Sequence, residues 1–357
     1  MIEYLILVFL STALAYLAKY KLKYGLELAF LLITIFAAIR YDFGNDYLNY
    51  LNEFEFHNLN SDMSSIADAR TELGWFGLIF LFKDWGFFWL VAVLTIVEQL
   101  IMYYFIKKYV DKDVYWIAVF VYLISTQLFL SGLSMMRQSF SISICMIGFE
   151  LSIKRKLVLS LAVVMIASLF HTSALLIIPF VLFLYFFYNR ISISKSFSLI
   201  LILVFVGISF LSSSMSLNSI MSLLAGSDID KYSGYLSVDK VTKFGISTVV
   251  SYILMYIVFA NYKCQNTNNQ YFILLFAVGC FIESFAKSIY LVDRVALYFM
   301  CLTPICYSMA FKRIKKYSWY PIFIFLYIIL KLYNYNTFIS IGWGQTFKNY
   351  QTIFELY

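Results

Sequence analysis

The chain is 357 residues long, 62% hydrophobic and only 13% charged, with a formal net charge of +7. One soluble core cannot hide that much apolar surface, which excludes a globular soluble enzyme. The positive charge lies in short clusters between apolar runs, where it reads as a topology signal, so no nucleic-acid partner is expected.

Runs such as Leu5 to Leu17, Leu26 to Ile39, Phe87 to Ile106 and Tyr271 to Ala286 approach or reach the ~20 apolar residues that cross a ~30 Å hydrocarbon core. Barrel strands would instead alternate in short segments, so helical spans are expected. In chain order the predicted helices cover 2–18, 24–39, 85–106, 114–131, 135–153, 157–170, 172–188, 197–212, 244–260, 271–289, 294–311 and 318–334. They describe an all-α, polytopic transmembrane helix bundle of about twelve spans, a single integral membrane domain over residues 1–357. Met1 to Tyr4 carries no basic n-region and no small-residue cleavage site follows the first run, which is therefore expected to be retained as a span. Cys145, Cys264, Cys280, Cys301 and Cys306 lie in or beside apolar runs without metal-ligand spacing, so neither disulfides nor zinc are expected.

Between alternate pairs of helices fall Lys19/Lys21/Lys23, Lys107/Lys108/Lys112, Lys154/Arg155/Lys156, Arg190/Lys195, Lys263 and Lys312/Arg313/Lys315/Lys316. The positive-inside rule makes these connections cytoplasmic and places both termini outside. The remaining connections are longer and acidic, and two larger outer loops are predicted. One, residues 40–84, contains the apolar piece Leu73 to Phe82, about half a span long and so expected to be re-entrant or interfacial. The other covers residues 213–243.

Four ionisable residues fall at similar distances from the nearest cytoplasmic cluster along their own helices. Arg40 is 17 residues from Lys23, Arg137 is 17 from Lys154, Arg294 is 18 from Lys312 and His171 is 15 from Lys156. At 1.5 Å per residue these separations are roughly 23 to 27 Å, which places all four just beneath the outer interface. A polar cavity shared by the four accounts for this common depth, and helix-end anchors snorkelling to headgroups are the alternative. Residue type favours the cavity. The cytoplasmic clusters hold thirteen lysines against three arginines, whereas Arg40, Arg70, Arg137 and Arg294 lie on the outer side. A planar guanidinium suits bidentate phosphate binding, whereas a topology signal needs only charge.

The outer end of the second helix reads Arg40-Tyr-Asp-Phe-Gly44-Asn-Asp46-Tyr47-Leu-Asn-Tyr50. It is followed by Glu72-Leu-Gly74-Trp75, then Met136-Arg137-Gln138, then Phe170-His171-Thr-Ser173-Ala. This order and spacing resemble the EpsG-like, Wzy-type family of polysaccharide (O-antigen) polymerases, over most of the chain from Arg40 to about Arg294. The resemblance implies a multi-spanning, metal-independent glycosyltransferase of the bacterial cytoplasmic membrane that needs no cofactor. It implies the joining of undecaprenyl-pyrophosphate-linked oligosaccharide repeat units on the outer face, with a lipid-linked donor, a lipid-linked acceptor, and a chain-length regulator and flippase as pathway partners.

On that footing Arg40, Arg137 and Arg294 are the expected pyrophosphate-binding residues, with Arg70 in the loop a further candidate. Asp46, Glu72 and His171 are the candidates for the base that takes the acceptor proton. Each has a plainer reading: Asp46 as an N-cap, Glu72 as a cap or anchor of the half-span behind it, and His171 as the tip of a tight hairpin. Tyr47, Tyr50 and Trp75 are candidates for sugar binding through their aromatic faces, although interface belts use the same residues. Glu283 and Lys287, four apart, are expected to pair within a helix.

Asp228-Ile-Asp230 and Asp111-Lys-Asp113 imitate a nucleotide-sugar metal motif, but the first is predicted outside and the second lies in a short turn. A flippase or transporter for the same lipid-linked unit would need charges at the midplane and comparable openings on both sides. An outer-face glycan ligase or O-acyltransferase would share the arginine and histidine logic, and only the motif order favours the polymerase.

Overall fold

The computed structural model describes residues 2–20, 22–59, 72–191, 193–214, 246–262, 267–285 and 290–356. Its helices are, in chain order, α1 (Ile2–Leu17), α2 (Gly25–Ala38), α3 (Tyr47–Leu59), α4 (Leu73–Phe82), α5 (Phe87–Tyr109), α6 (Tyr115–Ile124), α7 (Leu130–Ser134), α8 (Met136–Ile153) and α9 (Leu157–Ser168). These are followed by α10 (Ile178–Phe187), α11 (Lys195–Ser214), α12 (Ile246–Asn261), α13 (Thr267–Phe285), α14 (Tyr290–Met300), α15 (Thr303–Ile314) and α16 (Tyr320–Ser340). Two short strands, β1 (Arg40–Tyr41) and β2 (Gln351–Thr352), form an antiparallel pair. Among the described residues, Phe87–Tyr109, Thr172–Arg190, Lys195–Ser212 and Tyr320–Ser340 are long and apolar enough to cross a membrane. Val292–Met300 and Thr303–Ile314 add a fifth if they count as one span, and shorter apolar helices accompany them. The chain is an all-α, multi-pass membrane protein.

Two predicted helices are each divided. The expected helix over 114–131 stops at Ile124, and the polar run Ser125-Thr126-Gln127 turns the chain before α7 begins at Leu130. Small polar side chains offer the backbone local alternatives to helical hydrogen bonds, and Ser125 is already extended. The expected helix over 294–311 stops at Met300 and resumes at Thr303, just before Pro304, whose ring cannot sit inside a continuous helix.

The described chain divides into two compact units, residues 1–178 with 303–357, and residues 179–302. In the first, small residues let helix pairs close tightly. Gly25 packs directly on the Leu14 carbonyl and Ala18, where any Cβ would collide, and so joins α2 to α1. Ser160 donates to Gly148 O at 2.7 Å and Ser141 to Ala167 O at 2.9 Å, which fixes α8 against α9 through side-chain hydrogen bonds suited to an apolar surround. At one end of this unit the lysine-bearing turns meet carboxylates: Lys107 with Glu27 at 2.7 Å, Lys154 with Glu150 at 2.8 Å, Lys108 also with Glu150, and Lys312 with Asp111 at 2.6 Å.

In the second unit, the hydroxyls of Ser209, Tyr252 and Ser284 link α11, α12 and α13, and Ser212 also donates to Ser284 O. α13 and α14 approach at Gly279, where a Cβ would stand 2.8 Å from the Cβ of Phe299. Of the expected Glu283–Lys287 pair, Lys287 lies outside the described residues, as does most of the predicted 213–243 loop.

Candidate functional site

A backbone contact that favours glycine brings three of the predicted residues together. Just past α9, Leu169 O accepts the backbone N–H of Gly74 at 2.8 Å. A Cβ on Gly74 would itself stand 2.8 Å from that oxygen, too close for any other residue without movement of α4. With the start of α4 seated on the end of α9, Glu72 reaches His171.

The Glu72 carboxylate then serves two partners. Its Oε1 lies 3.3 Å from His171 Nδ1, and its Oε2 accepts from Arg137 Nη1 at 2.9 Å. An ionised carboxylate can only accept, so the contact requires a proton on His171 Nδ1, and in the neutral tautomer Nε2 keeps its lone pair. Burial raises the Glu72 carboxyl, but the hydrogen bond with His171 and the charge of Arg137 outweigh it and hold the group below the usual carboxylate range. The side chains of Arg137, His171 and Glu72 keep 27%, 23% and 18% of their surface, enough to be reached yet largely shielded from water.

α3 supplies the opposite wall. Asp46, Tyr50 and Glu53 follow one another at helical spacing on one face of this segment. Glu53 Oε1 is 3.8 Å from Arg137 Nη1, and Glu53 Oε2 accepts from Trp75 Nε1 at 3.2 Å. The Arg137 guanidinium lies over the Tyr50 ring, 5.3 Å from its centroid. In the sequence Glu53 is one acid among many in a loop, and its position seven residues after Asp46 on a helix face is the signal that marks it. Tyr47, Tyr50 and Trp75, expected as sugar platforms, are buried at 1%, 8% and 0% exposure in one aromatic and aliphatic cluster, with their rings against protein.

Arg40 and Asp46 are placed by α7. Arg40 is buried, and its guanidinium donates to Thr95 Oγ1 at 2.9 Å, to Leu133 O at 3.3 Å and to Ala37 O. Its fork is thereby spent largely on tying the end of α2 to α5 and α7. Glu98 of α5, another residue the sequence did not single out, lies within electrostatic reach of Arg40. Asp46 occupies the N-cap position of α3, its carbonyl accepting Tyr50 N at 3.0 Å. Its carboxylate takes a hydrogen bond from Ser134 Oγ at 3.4 Å and one from Asn45 at 3.3 Å, while its backbone N–H donates to the same serine at 3.1 Å. Leu133 and Ser134 lead directly into Arg137, so the divided helix connects the Arg40–Asp46 turn to the Arg137 cluster. Arg294 sits on α14 in the second unit, and Arg70 lies outside the described residues.

The arrangement can orient an imidazole as a base, hold a carboxylate ionised and present a guanidinium beside both. Among known proteins, the model of the EpsG family matches residues 23–352, and the resemblance read from the motif order is thereby borne out. No curated protein and no solved structure matches the chain.

Proposed function

The chain belongs to the EpsG family, and from that premise we propose that it polymerises undecaprenyl-pyrophosphate-linked oligosaccharide repeat units into a surface polysaccharide. The observation that carries this reading is the Arg137–Glu72–His171 contact, which joins three of the family-like motifs in one partly buried cluster. The chain spans the bacterial cytoplasmic membrane about twelve times, both termini lie outside, and this cluster lies at the outer face, opposite the lysine-bearing turns.

In the reaction, the acceptor sugar hydroxyl attacks the anomeric carbon of the donor chain. The new glycosidic C–O bond forms as the bond to pyrophosphate breaks, and the electron pair leaves on undecaprenyl pyrophosphate. His171 Nε2 takes the hydroxyl proton, while Glu72 holds Nδ1–H and stabilises the imidazolium that results. Arg137, its charge anchored by Glu72 and Glu53, meets the developing negative charge on the departing pyrophosphate. Arg40 acts by holding the turn that carries Asp46. Pyrophosphate departs readily, so these residues provide orientation and charge without a metal.

Deleting the protein is expected to leave surface glycan capped at a single repeat unit. Arg137→Ala, present at normal membrane levels, is expected not to restore long chains. Full-length polymer from Arg137→Ala would overturn the mechanism, and loss of all repeat units from the outer face in the deletion would identify a flippase instead.

A further inference from the structure

The last residues of the chain return to the motif-bearing turn from more than three hundred positions away. β2 pairs with β1, setting Arg40 opposite Thr352 and Tyr41 opposite Gln351, and Ile353 N donates to Ile39 O at 3.0 Å. The Tyr350 ring stacks on Phe36 with centroids 4.0 Å apart, and its hydroxyl donates to Phe36 O at 2.6 Å. Phe43, fully buried, meets Tyr350 and Phe347 edge-on at 5.2 and 5.0 Å. Glu355 accepts from both the backbone and the hydroxyl of Thr352 at 3.1 Å, closing the strand on itself.

Gly44 shows how tightly the turn is gripped. Its φ of +111° is one that side chains rarely adopt, and an added Cβ would stand 3.0 Å from Ser134 Cβ on one side and 3.2 Å from Phe347 on the other. The turn lies between α7 and the C-terminal segment. Ser134, which forms one wall, also contacts Asp46 and lies three residues before Arg137.

We infer that residues 342–356 form a positioning clamp for the site: the segment holds the Arg40–Asp46 turn against α7 and so fixes where Asp46 and, through α7, Arg137 stand. As a contribution to polymerisation it rests on the function proposed above; as a clamp it does not. The strand pair fixes register, the Tyr350–Phe36–Phe43–Phe347 stack fixes depth, and neither requires any of these residues to touch substrate. A displacement of about 1 Å at a reacting group costs on the order of a hundredfold in rate, so holding the turn from behind has a large effect on catalysis.

Two readouts test it together in a chain whose native cysteines are replaced by alanine: long-chain polymer, and the rate at which an impermeant thiol reagent labels Ser134→Cys, a position buried at 1% exposure beneath the turn. Tyr350→Ala and deletion of 342–357 are expected to lower polymer about a hundredfold and to speed labelling at least about tenfold. Tyr350→Phe keeps the stack and loses one hydrogen bond, so it is expected to remain within about tenfold of the parent in both. Should either disruptive variant fail to accumulate, the pair Tyr41→Cys/Gln351→Cys in the full chain is expected to cross-link and to retain long-chain polymer. Unchanged labelling in Tyr350→Ala, or long-chain polymer from the deleted chain, would overturn the clamp, as would absence of the cross-link. Faster labelling in Tyr350→Ala combined with wild-type polymer from His171→Ala would keep the clamp and sink the proposed chemistry instead.

Discussion

The first compact unit has two polar ends, and they use charge differently. At one, Lys107, Lys108, Lys154 and Lys312 reach carboxylates on neighbouring turns, with Lys107, Lys154 and Lys312 well exposed. A compact ammonium on a flexible stem marks a side of the membrane without needing a fixed geometry, and exposed pairs of this kind contribute about 0–1 kcal/mol to stability. At the other end Arg40 is buried among carbonyl and hydroxyl acceptors, and Arg137 is held by two carboxylates and an aromatic face. Here the positions of individual donors are set by α3, α4, α7 and α8 together. Charge alone therefore does not distinguish the lysine-bearing end from the proposed site. The number of elements that converge on each cation does.

Substitutions at the two ends sharpen that contrast. The largest effect is expected at His171 and Arg137, whose replacement by alanine should lower polymerisation by about 10²–10⁴-fold, scored as repeat-unit number on surface glycan at matched membrane levels. Arg137→Lys should fail nearly as badly, because an ammonium cannot reproduce the fork that meets Glu72 and faces Tyr50. Glu72→Gln should cost less, about 10²-fold, and combined with His171→Ala should add little further, since the two act as a unit. Gly74→Ala is expected to reduce polymer about tenfold by overpacking α4 against Leu169 O, a strain of about 1–3 kcal/mol visible as a lower melting temperature in detergent. Lys107→Ala and Lys312→Ala should leave chain length within about twofold of wild type.

A pH series gives the smallest and most specific effect. The Glu72 carboxyl titrates below its unfolded value of about 4.3, so its stabilising contribution is fully present above that pH and is lost as pH falls through the lower folded value. The gap in melting temperature between wild type and Glu72→Gln should stay open from pH 6 down to about 4.5 and then close. A gap that had already closed by pH 6 would show that Glu72 is not held ionised.

Much of this was legible in the sequence because ionisable residues at the ends of apolar helices are costly and therefore conspicuous. Arg137 and His171 stand out on that ground alone, whereas Glu72 and the neighbouring Gly74 are marked only by the motif order. The helices of the bundle follow from apolar run length. What stayed hidden depends on contacts between distant segments. The break after Ile124 has only three polar residues to announce it, yet it places Leu133 and Ser134 against Arg40 and Asp46. The pairing of β2 with β1 leaves no local pattern in either two-residue strand. Aromatic composition does not tell which rings face a ligand and which face neighbours, and Trp75, a candidate platform, is wholly inside with its indole N–H given to Glu53.

We propose the Arg137–Glu72–His171 cluster as the centre of chain joining. Its most direct test is purified protein in lipid vesicles supplied only with undecaprenyl-pyrophosphate-linked repeat unit, scored for polymer length and for released undecaprenyl pyrophosphate. Wild type is expected to yield both products in step and His171→Ala neither, whereas polymer from His171→Ala at the wild-type rate would contradict the account.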